Sequence, residues 1–119
     1  MKQLVFVADS RRVLSGFPKA VQRHIGFALY QAQMGDKHLD AKALRHIGTG
    51  VLEVISDYQG NTFRTVYTVK LEKRVYVLHA FQKKSPSGIR TATRDVELVA
   101  RRLKIAQKDY KEHHGKPKR

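Results

Sequence analysis

Three basic side chains, Arg64, Lys83 and Lys84, stand at positions where strand patterns would hold them firmly. Residues 75–82 read VYVLHAFQ, an apolar run typical of a buried strand, and it leads directly into the two lysines. A strand is stiff, so its end is a platform on which cations can meet a phosphate at a fixed place. The pattern therefore indicates a surface for binding phosphate groups.

Arg64 lies in the middle of the preceding strand pattern, where a charge is costly unless its head reaches solvent or a partner. Two interpretations stay open: an arginine whose stem covers apolar surface while its head reaches water, or a bidentate phosphate clamp. Because neighbouring strand residues face opposite sides, one of Lys83 and Lys84 should share the face of Arg64. Strand register is not readable from the sequence, so either lysine fits.

His79 and Glu53 are the other candidates for chemistry. His79, in the strand before the lysines, is either a partly buried histidine with satisfied hydrogen bonds or a residue with a catalytic or RNA-contacting role. The chain has six histidines, but none has a metal-ligand spacing with a carboxylate, and it has no cysteine. It also lacks a phosphate-binding glycine loop and a nucleophile elbow. We therefore expect no metal and no cofactor.

The charge balance favours a polyanionic partner. Lysine and arginine number 24 against 10 aspartates and glutamates, a net charge of +14 over 119 residues. Such an excess is typical of nucleic-acid binding, although a solubility surface or an acidic protein partner would also use it. The apolar share of 41% predicts a globular domain. We expect a cytoplasmic protein, because no apolar run suits a membrane span or a signal peptide.

Hydrophobic periodicity predicts a single α+β domain over residues 1–110, followed by a flexible basic tail over 111–119. The N-terminal half predicts a strand at Leu4–Val7 and a short helix that begins after Asp9 or Ser10. A longer helix at Lys19–Met34 and a loop over 36–50 follow. The second half predicts three strands, at Val51–Tyr58, Thr62–Leu71 and Arg74–Gln82. A final helix is predicted at Thr93–Tyr110.

Short connections make the three later strands an antiparallel meander, and Leu4–Val7 should pair beside it to give a sheet of about four strands. Regular alternation gives the second strand one face with Phe63, Thr65, Tyr67, Val69 and Leu71, opposite Arg64, Val66, Thr68 and Lys70. It gives the third strand one face with Val75, Val77, His79 and Phe81, opposite Tyr76, Leu78, Ala80 and Gln82. Both of these faces are largely apolar, which predicts an interior strand.

Four motifs in this order resemble the RelE/HigB superfamily of bacterial toxins, in particular its small phage-derived, HigB-like subgroup. They are GVLEV from Gly50, FRTVY from Phe63, VLHAFQKKS from Val77, and a helix that carries Glu97, Ala100 and Arg102. The resemblance extends over about residues 3 to 105. It implies a RelE-like fold with an N-terminal strand, two helices, an antiparallel sheet and a C-terminal helix.

The resemblance also implies an activity and partners. Such toxins are ribosome-dependent mRNA endonucleases, held inactive by a cognate antitoxin that usually carries a helix-turn-helix DNA-binding domain. It assigns Arg64 to the scissile phosphate and Lys83 and Lys84 to the charge that develops there. Better-known members have lysines where this chain has Glu53 and Ile55, and a tyrosine where this chain has residues 85–88. Glu53 is common in the subgroup.

Metal-free cleavage of RNA needs a positioned 2′-hydroxyl, a proton acceptor and compensation of negative charge in the transition state. A lysine serves as the acceptor only where neighbouring cations favour its neutral form, so Lys83 beside Lys84 is one candidate, and Glu53 and His79 are the others. An alternative function is a catalytically silent module on the same fold that binds RNA or a partner protein through its basic surface.

Overall fold

The computed structural model describes residues 1–83 and 92–115 and shows an α+β domain, as predicted. Lys84 and the predicted segment at 85–88 lie outside the described residues, as does the chain beyond Gly115. The elements in chain order are β1 (Gln3–Phe6), α1 (Ser10–Ser15), α2 (Lys19–Gln33), β2 (Ala41–Ala43), β3 (Val51–Tyr58), β4 (Asn61–Thr68), β5 (Arg74–Lys83) and α3 (Thr93–His114).

The sheet has five strands in the order β1-β5-β4-β3-β2. Strands β3, β4 and β5 form the predicted antiparallel meander, and β5 is interior, with Arg74–Ala80 buried. The predicted N-terminal strand lies beside the meander as expected, but it differs from the antiparallel arrangement of the other strands, because β1 runs parallel to β5 from Gln3 beside Arg74 to Phe6 beside Val77. Hairpin turns fix direction only between consecutive strands, so they leave β1 undetermined.

The fifth strand, β2, lies within the segment predicted to be a loop. Ala41, Lys42 and Ala43 pair antiparallel with residues 52–54 at the edge of β3. Alanine and lysine have little intrinsic preference for strands, so this element could not be predicted from residue types. The partner strand supplies the backbone hydrogen-bonding groups, which makes β2 a product of the tertiary structure.

Helices cover both faces of the sheet. Helix α2 packs on one face through Val21, Ile25, Ala28 and Leu29, the residues that the sequence predicted, and α1 lies against the same core. Helix α3 packs on the other face through Val99, Ala106 and Tyr110. We refer below to the α2 face and the α3 face of the sheet. Burying apolar residues on both sides gives the small domain two thin cores around a single sheet.

A β-bulge in β5 reverses the predicted alternation. Val66 pairs with His79 and the next residue, Tyr67, pairs with Val77, so Leu78 is an extra residue on β5. Val75 and Val77 pack in the core of the α2 face, whereas His79 contacts α3. The prediction that His79 shares their face is therefore wrong, as is the grouping of Leu78 with Ala80. A bulge changes facing for every residue after it.

Two chain segments continue differently from the prediction. Leu71 packs in the core of the α3 face rather than beside Phe63 and Tyr67, because β4 ends at Thr68 and the chain turns. Helix α3 runs to His114, beyond its predicted end at Tyr110, so part of the predicted tail is helical. No helix in the described part of the chain combines the length and apolar character needed to cross a bilayer.

Candidate active site

The strand register brings four of the five predicted site residues to the α3 face. Residues that pair across strands share a face, and His79 pairs with Val66, which in turn pairs with Glu53. Arg64 pairs with Phe81 in the next row on the same face, and Lys83 lies in the row after that, beside Thr62. Successive rows on one face are about 7 Å apart. The fifth residue, Lys84, lies outside the described residues.

Arg64 and Glu53 form a buried ion pair. Nη1 of Arg64 donates to Oε1 of Glu53 over 3.0 Å, and the side chains are 5% and 4% exposed. A guanidinium can stay inside a sheet when a carboxylate compensates its charge, and the pair satisfies that condition. Of the two interpretations of Arg64, the one in which its head reaches water is wrong for this conformation. Glu53 orients the guanidinium from the neighbouring strand.

Lys83 is placed differently, at the end of β5 and half-buried. Its row also contains Thr62, whose hydroxyl donates to Asp57 Oδ1 over 2.9 Å. The strand end keeps the backbone of Lys83 in place, while its side chain has four carbons over which to move its ammonium group. Lys83 is therefore more accessible than Arg64.

His79 lies between an acidic and a basic side chain of α3. Its Nε2 lies 2.8 Å from Asp95 Oδ1, and Nη1 of Arg102 lies 3.5 Å from its Nδ1. Because a guanidinium only donates, Nδ1 accepts and Nε2–H donates to the carboxylate. The ring also stacks on Phe81, with centroids 4.6 Å apart. In this arrangement His79 ties β5 to α3, which agrees with the interpretation of a satisfied histidine.

Arg102 and Asp9 belong to the same network, and neither residue was predicted from its sequence pattern to make a contact there. Arg102 donates to the carbonyl oxygen of Leu78 at the bulge over 3.0 Å and pairs with Asp9 Oδ1 at 2.8 Å. Arg102 is buried, although an arginine in a helix is more often exposed. The signal that could have found it is its spacing, since Val99, Arg102 and Ala106 fall on one helical stripe.

A second polar network fixes the C-terminal half of α3. Asp109 Oδ2 accepts from the hydroxyl of Tyr76 at 2.7 Å and from Arg74 at 2.9 Å, and Arg74 Nε donates to His114 over 3.0 Å. Burial, with the hydrogen bond to Asp109, raises the pKa of Tyr76 to about 12. Partial burial and the charges of Arg74 and Lys73 lower the pKa of His114. Helix α3 is thus fixed to β5 at both ends.

The outer side of α3 is basic. Its exposed residues include Arg94, Arg101, Lys104 and Lys108, while the buried side carries the apolar stripe and Arg102. This side of the helix contributes to the positive field that the composition predicted. These basic side chains belong to the helix that covers the sheet face on which Lys83 and Arg64 lie.

The element order, the sheet with helices on its two faces and the C-terminal helix broadly match the RelE-like fold of bacterial toxins. A family profile described as phage derived protein Gp49-like (DUF891) matches residues 12–104. The chain therefore belongs to this Gp49-like family, which is a toxin-like family of the RelE/HigB type. Membership is consistent with the toxin of a toxin–antitoxin pair and implies an antitoxin partner. A comparison with curated proteins gives no match.

Proposed function

We propose that this chain is a toxin of the HigB-like subgroup that inhibits translation by cleaving mRNA on the ribosome. The observation that carries the proposal is that Arg64 and Lys83 lie in successive rows of the α3 face. Two cations fixed on stiff neighbouring strands can compensate charge at one phosphate, and the basic outer side of α3 would guide RNA towards them. The proposal places the chain in the cytoplasm, where ribosomes are found.

The reaction that fits these residues uses the RNA as its own nucleophile. The 2′-oxygen forms a bond to the adjacent phosphorus, the bond from phosphorus to the 5′-oxygen breaks, and a 2′,3′-cyclic phosphate and a 5′-hydroxyl result. A base takes the 2′-hydroxyl proton and an acid protonates the leaving oxygen. Arg64, Lys83 and Lys84 would stabilise the phosphorane-like charge, where each contact is worth about 10²–10³ in rate. The proposed step uses no metal ion.

The candidates for the proton acceptor differ in what they already contact. Glu53 accepts a hydrogen bond from Arg64, and His79 has Asp95 at one ring nitrogen and Arg102 at the other. Both side chains therefore hold neighbours in position in this conformation. Lys83 is half-exposed at a strand end, where a substrate would arrive first. Under the proposal Lys83 is the acceptor to test first, followed by Glu53 and then His79.

Contact between Arg64 and a phosphate requires a change in the conformation described here, since the arginine is only 4% exposed. Helix α3 lies over this face, so a shift of α3 or of side chains above the sheet would have to open a path. The proposed antitoxin, a small protein with a helix-turn-helix DNA-binding domain, would cover the basic surface or displace α3 from its active position. Its co-expression should relieve toxicity and give a complex that co-purifies.

The experiment that tests the proposal is cleavage of ribosome-bound mRNA by the purified chain, with and without chelator. We expect cleavage to persist in the chelator and the upstream fragment to end in a 2′,3′-cyclic phosphate or a 3′-phosphate. A 3′-hydroxyl on that fragment, or a need for Mg²⁺ beyond what keeps the ribosome assembled, would contradict the proposed chemistry. Induced expression in bacteria should arrest growth. The arrest should disappear when Arg64 is changed, or when Lys83 and Lys84 are changed together.

The variants have to leave a positive charge beside the buried Glu53, so that a loss of activity is not caused by unfolding. Arg64→Lys keeps a positive charge against Glu53 but loses the bidentate fork, so it should reduce cleavage in a folded protein. Lys83→Ala combined with Lys84→Ala should do the same at the strand end. Arg23→Ala, which removes an exposed arginine from α2 on the opposite face, is the matched control and should retain activity. Full activity in both Arg64→Lys and the double lysine variant would show that these residues are wrongly chosen.

The silent binding module is the second candidate, and one observation favours it. The pairing of Arg64 with Glu53 is what a purely structural arginine would show, and such an arginine needs no substrate. A silent module would be tolerated at high expression and would bind ribosomes or RNA without producing fragments. Growth arrest by the intact chain, lost in Arg64→Lys and retained in Arg23→Ala, would exclude it.

A further inference from the structure

Two imidazoles and a carboxylate converge on the α2 side of the domain. His24 lies on α2, and His38 and Asp40 lie between α2 and β2; one ligand atom from each falls within 4.8 Å of the others. His24 Nε2 is 2.7 Å from Asp40 Oδ2, and His38 Nδ1 is 3.9 Å from the same oxygen. We propose that this histidine–aspartate cluster binds one divalent transition-metal ion, and that Zn²⁺ is its best-fitting occupant.

The donor set selects the ion. Two imidazole nitrogens and one carboxylate oxygen suit Zn²⁺ and its neighbours, whereas Mg²⁺ and Ca²⁺ prefer oxygen ligands alone. Bonds of 2.0–2.2 Å to a tetrahedral zinc place the ligand atoms about 3.4 Å apart. The present distances, 2.7 Å and 3.9 Å, differ from this value, and His38 Nδ1 accepts a hydrogen bond from the backbone N–H of Asp40 over 2.9 Å. Metal binding therefore has to replace that hydrogen bond and move the ligands by about an ångström. Asp40 is 54% exposed and can move by that amount.

A buried serine gives the cluster a second layer of support. His24 Nδ1 lies 2.7 Å from Oγ of Ser56, a β3 residue that is 3% exposed. Metal-binding histidines almost always donate from the other ring nitrogen in this way, which fixes the ring orientation. In the present arrangement Nε2 faces the Asp40 carboxylate and carries a proton. When Nε2 gives up that proton to bind the ion, Nδ1–H can donate to Ser56 Oγ.

The site is also partly shielded from water. The His24 and His38 rings meet edge to face with centroids 5.2 Å apart, and Phe27 packs edge-on against His38 at 5.7 Å. The histidine side chains are 28% and 14% exposed. Ligands that are already ordered lose little freedom when the ion binds. The net charge of +14 disfavours cations in general, so uptake would depend on coordination rather than on long-range attraction.

The cluster is separate from the candidate active site. Ser56 pairs with Phe63, which packs in the core of the α2 face, whereas Arg64 faces α3. A metal here would tie the segment around His38 and Asp40, and with it the start of β2, to helix α2. Its expected role is structural, and the inference does not rest on the proposed nuclease activity. The spacing of the histidines did not predict this cluster, because His24 and His38 are far apart in the chain.

The test is a titration of the untagged full chain, stripped of metal, with Zn²⁺ and separately with Co²⁺. We expect one equivalent to bind, thermal stability to rise with free metal, and cobalt to show the visible absorption of a four-coordinate site. Asp40→Asn and His24→Ala should each abolish stoichiometric binding. Ser56→Ala keeps all three ligands and should weaken binding by about 10- to 100-fold.

The matched control is the double variant His113→Ala and His114→Ala at the end of α3, the other place where histidines adjoin. It should keep the single equivalent of zinc. Loss of zinc in this double variant, or full binding in Asp40→Asn checked for a native circular dichroism spectrum, would overturn the proposal. Absence of zinc binding by the unmodified chain would also overturn it. Cleavage of ribosome-bound mRNA in chelator tests the proposed function separately.

Discussion

Arg64 donates a hydrogen bond from Nη1 to Oε1 of Glu53, over 3.0 Å, across the paired strands β3 and β4. The arginine expected to meet an external phosphate is thus already matched with an internal carboxylate. The same contact explains how a charge is accommodated in the sheet and sets the cost of removing either partner. It also makes the simplest test of activity, Arg64→Ala, a test of stability as well.

Replacing only one partner of the Arg64–Glu53 ion pair should destabilise the domain. Glu53→Ala or Arg64→Ala leaves an uncompensated buried charge, and we expect the free energy of unfolding to fall by about 3–5 kcal/mol. The double variant Glu53→Leu and Arg64→Met removes both charges and should lose much less. Urea denaturation followed by circular dichroism measures the difference. A double variant as unstable as the sum of the singles would show that the two residues do not interact energetically.

Arg102 and Arg101 are adjacent, but replacing each with alanine should change the stability of the protein by very different amounts. Arg102→Ala removes a buried guanidinium that contacts Leu78 and Asp9, so we expect a loss of about 2–3 kcal/mol. Arg101→Ala removes an exposed side chain and should change stability by about 0.5 kcal/mol at most. Thermal unfolding of the two variants under one condition gives the comparison. Equal stabilities would mean that the Arg102 network adds nothing to the docking of α3.

Tyrosine ionisation should limit stability in alkali. Burial raises the pKa of Tyr67 and of Tyr76 to about 12, from 10.0 in the unfolded chain. The folded state therefore binds these protons more tightly than the unfolded chain does. Their contribution to the free energy of unfolding is complete below pH 10 and is lost as the pH rises towards 12. Ultraviolet absorbance of tyrosinate should show late ionisation in the native protein. Tyr76→Phe should remove part of the late signal; an unchanged titration curve would contradict the assignment.

Two glycines should give opposite results when changed to alanine. Gly50 has φ of +77°, and an added Cβ would lie 2.9 Å from Cβ of Lys70, so Gly50→Ala should cost about 2–4 kcal/mol. Gly26 lies within α2 with open space around it, so Gly26→Ala should stabilise by about 0.5–1 kcal/mol. Melting temperatures of the two variants, compared with the unmodified chain, test both. A tolerated Gly50→Ala would mean that the connection at Gly50 relaxes.

The sequence alone determined the elements whose signals are local. The apolar spacing of Val21, Ile25 and Leu29 identified α2 and its buried side, and β-branched runs with short connections identified the meander. These predictions succeeded because hydrophobic period and turn length act between residues close in the chain. The same reasoning placed Arg64 and the strand that ends at Lys83 next to each other, since a hairpin joins β4 to β5.

Tertiary structure decided what depends on partners distant in the chain. The bulge at Leu78 turns His79 towards α3, and no residue type in that strand predicts a bulge. The direction of β1, the existence of β2 and the burial of Arg102 follow from pairing and packing with segments far away. Lys83 faces the same side as Arg64 because of that register. Alternation and helical spacing state which residues share a side, but only the assembled sheet determines what each side meets.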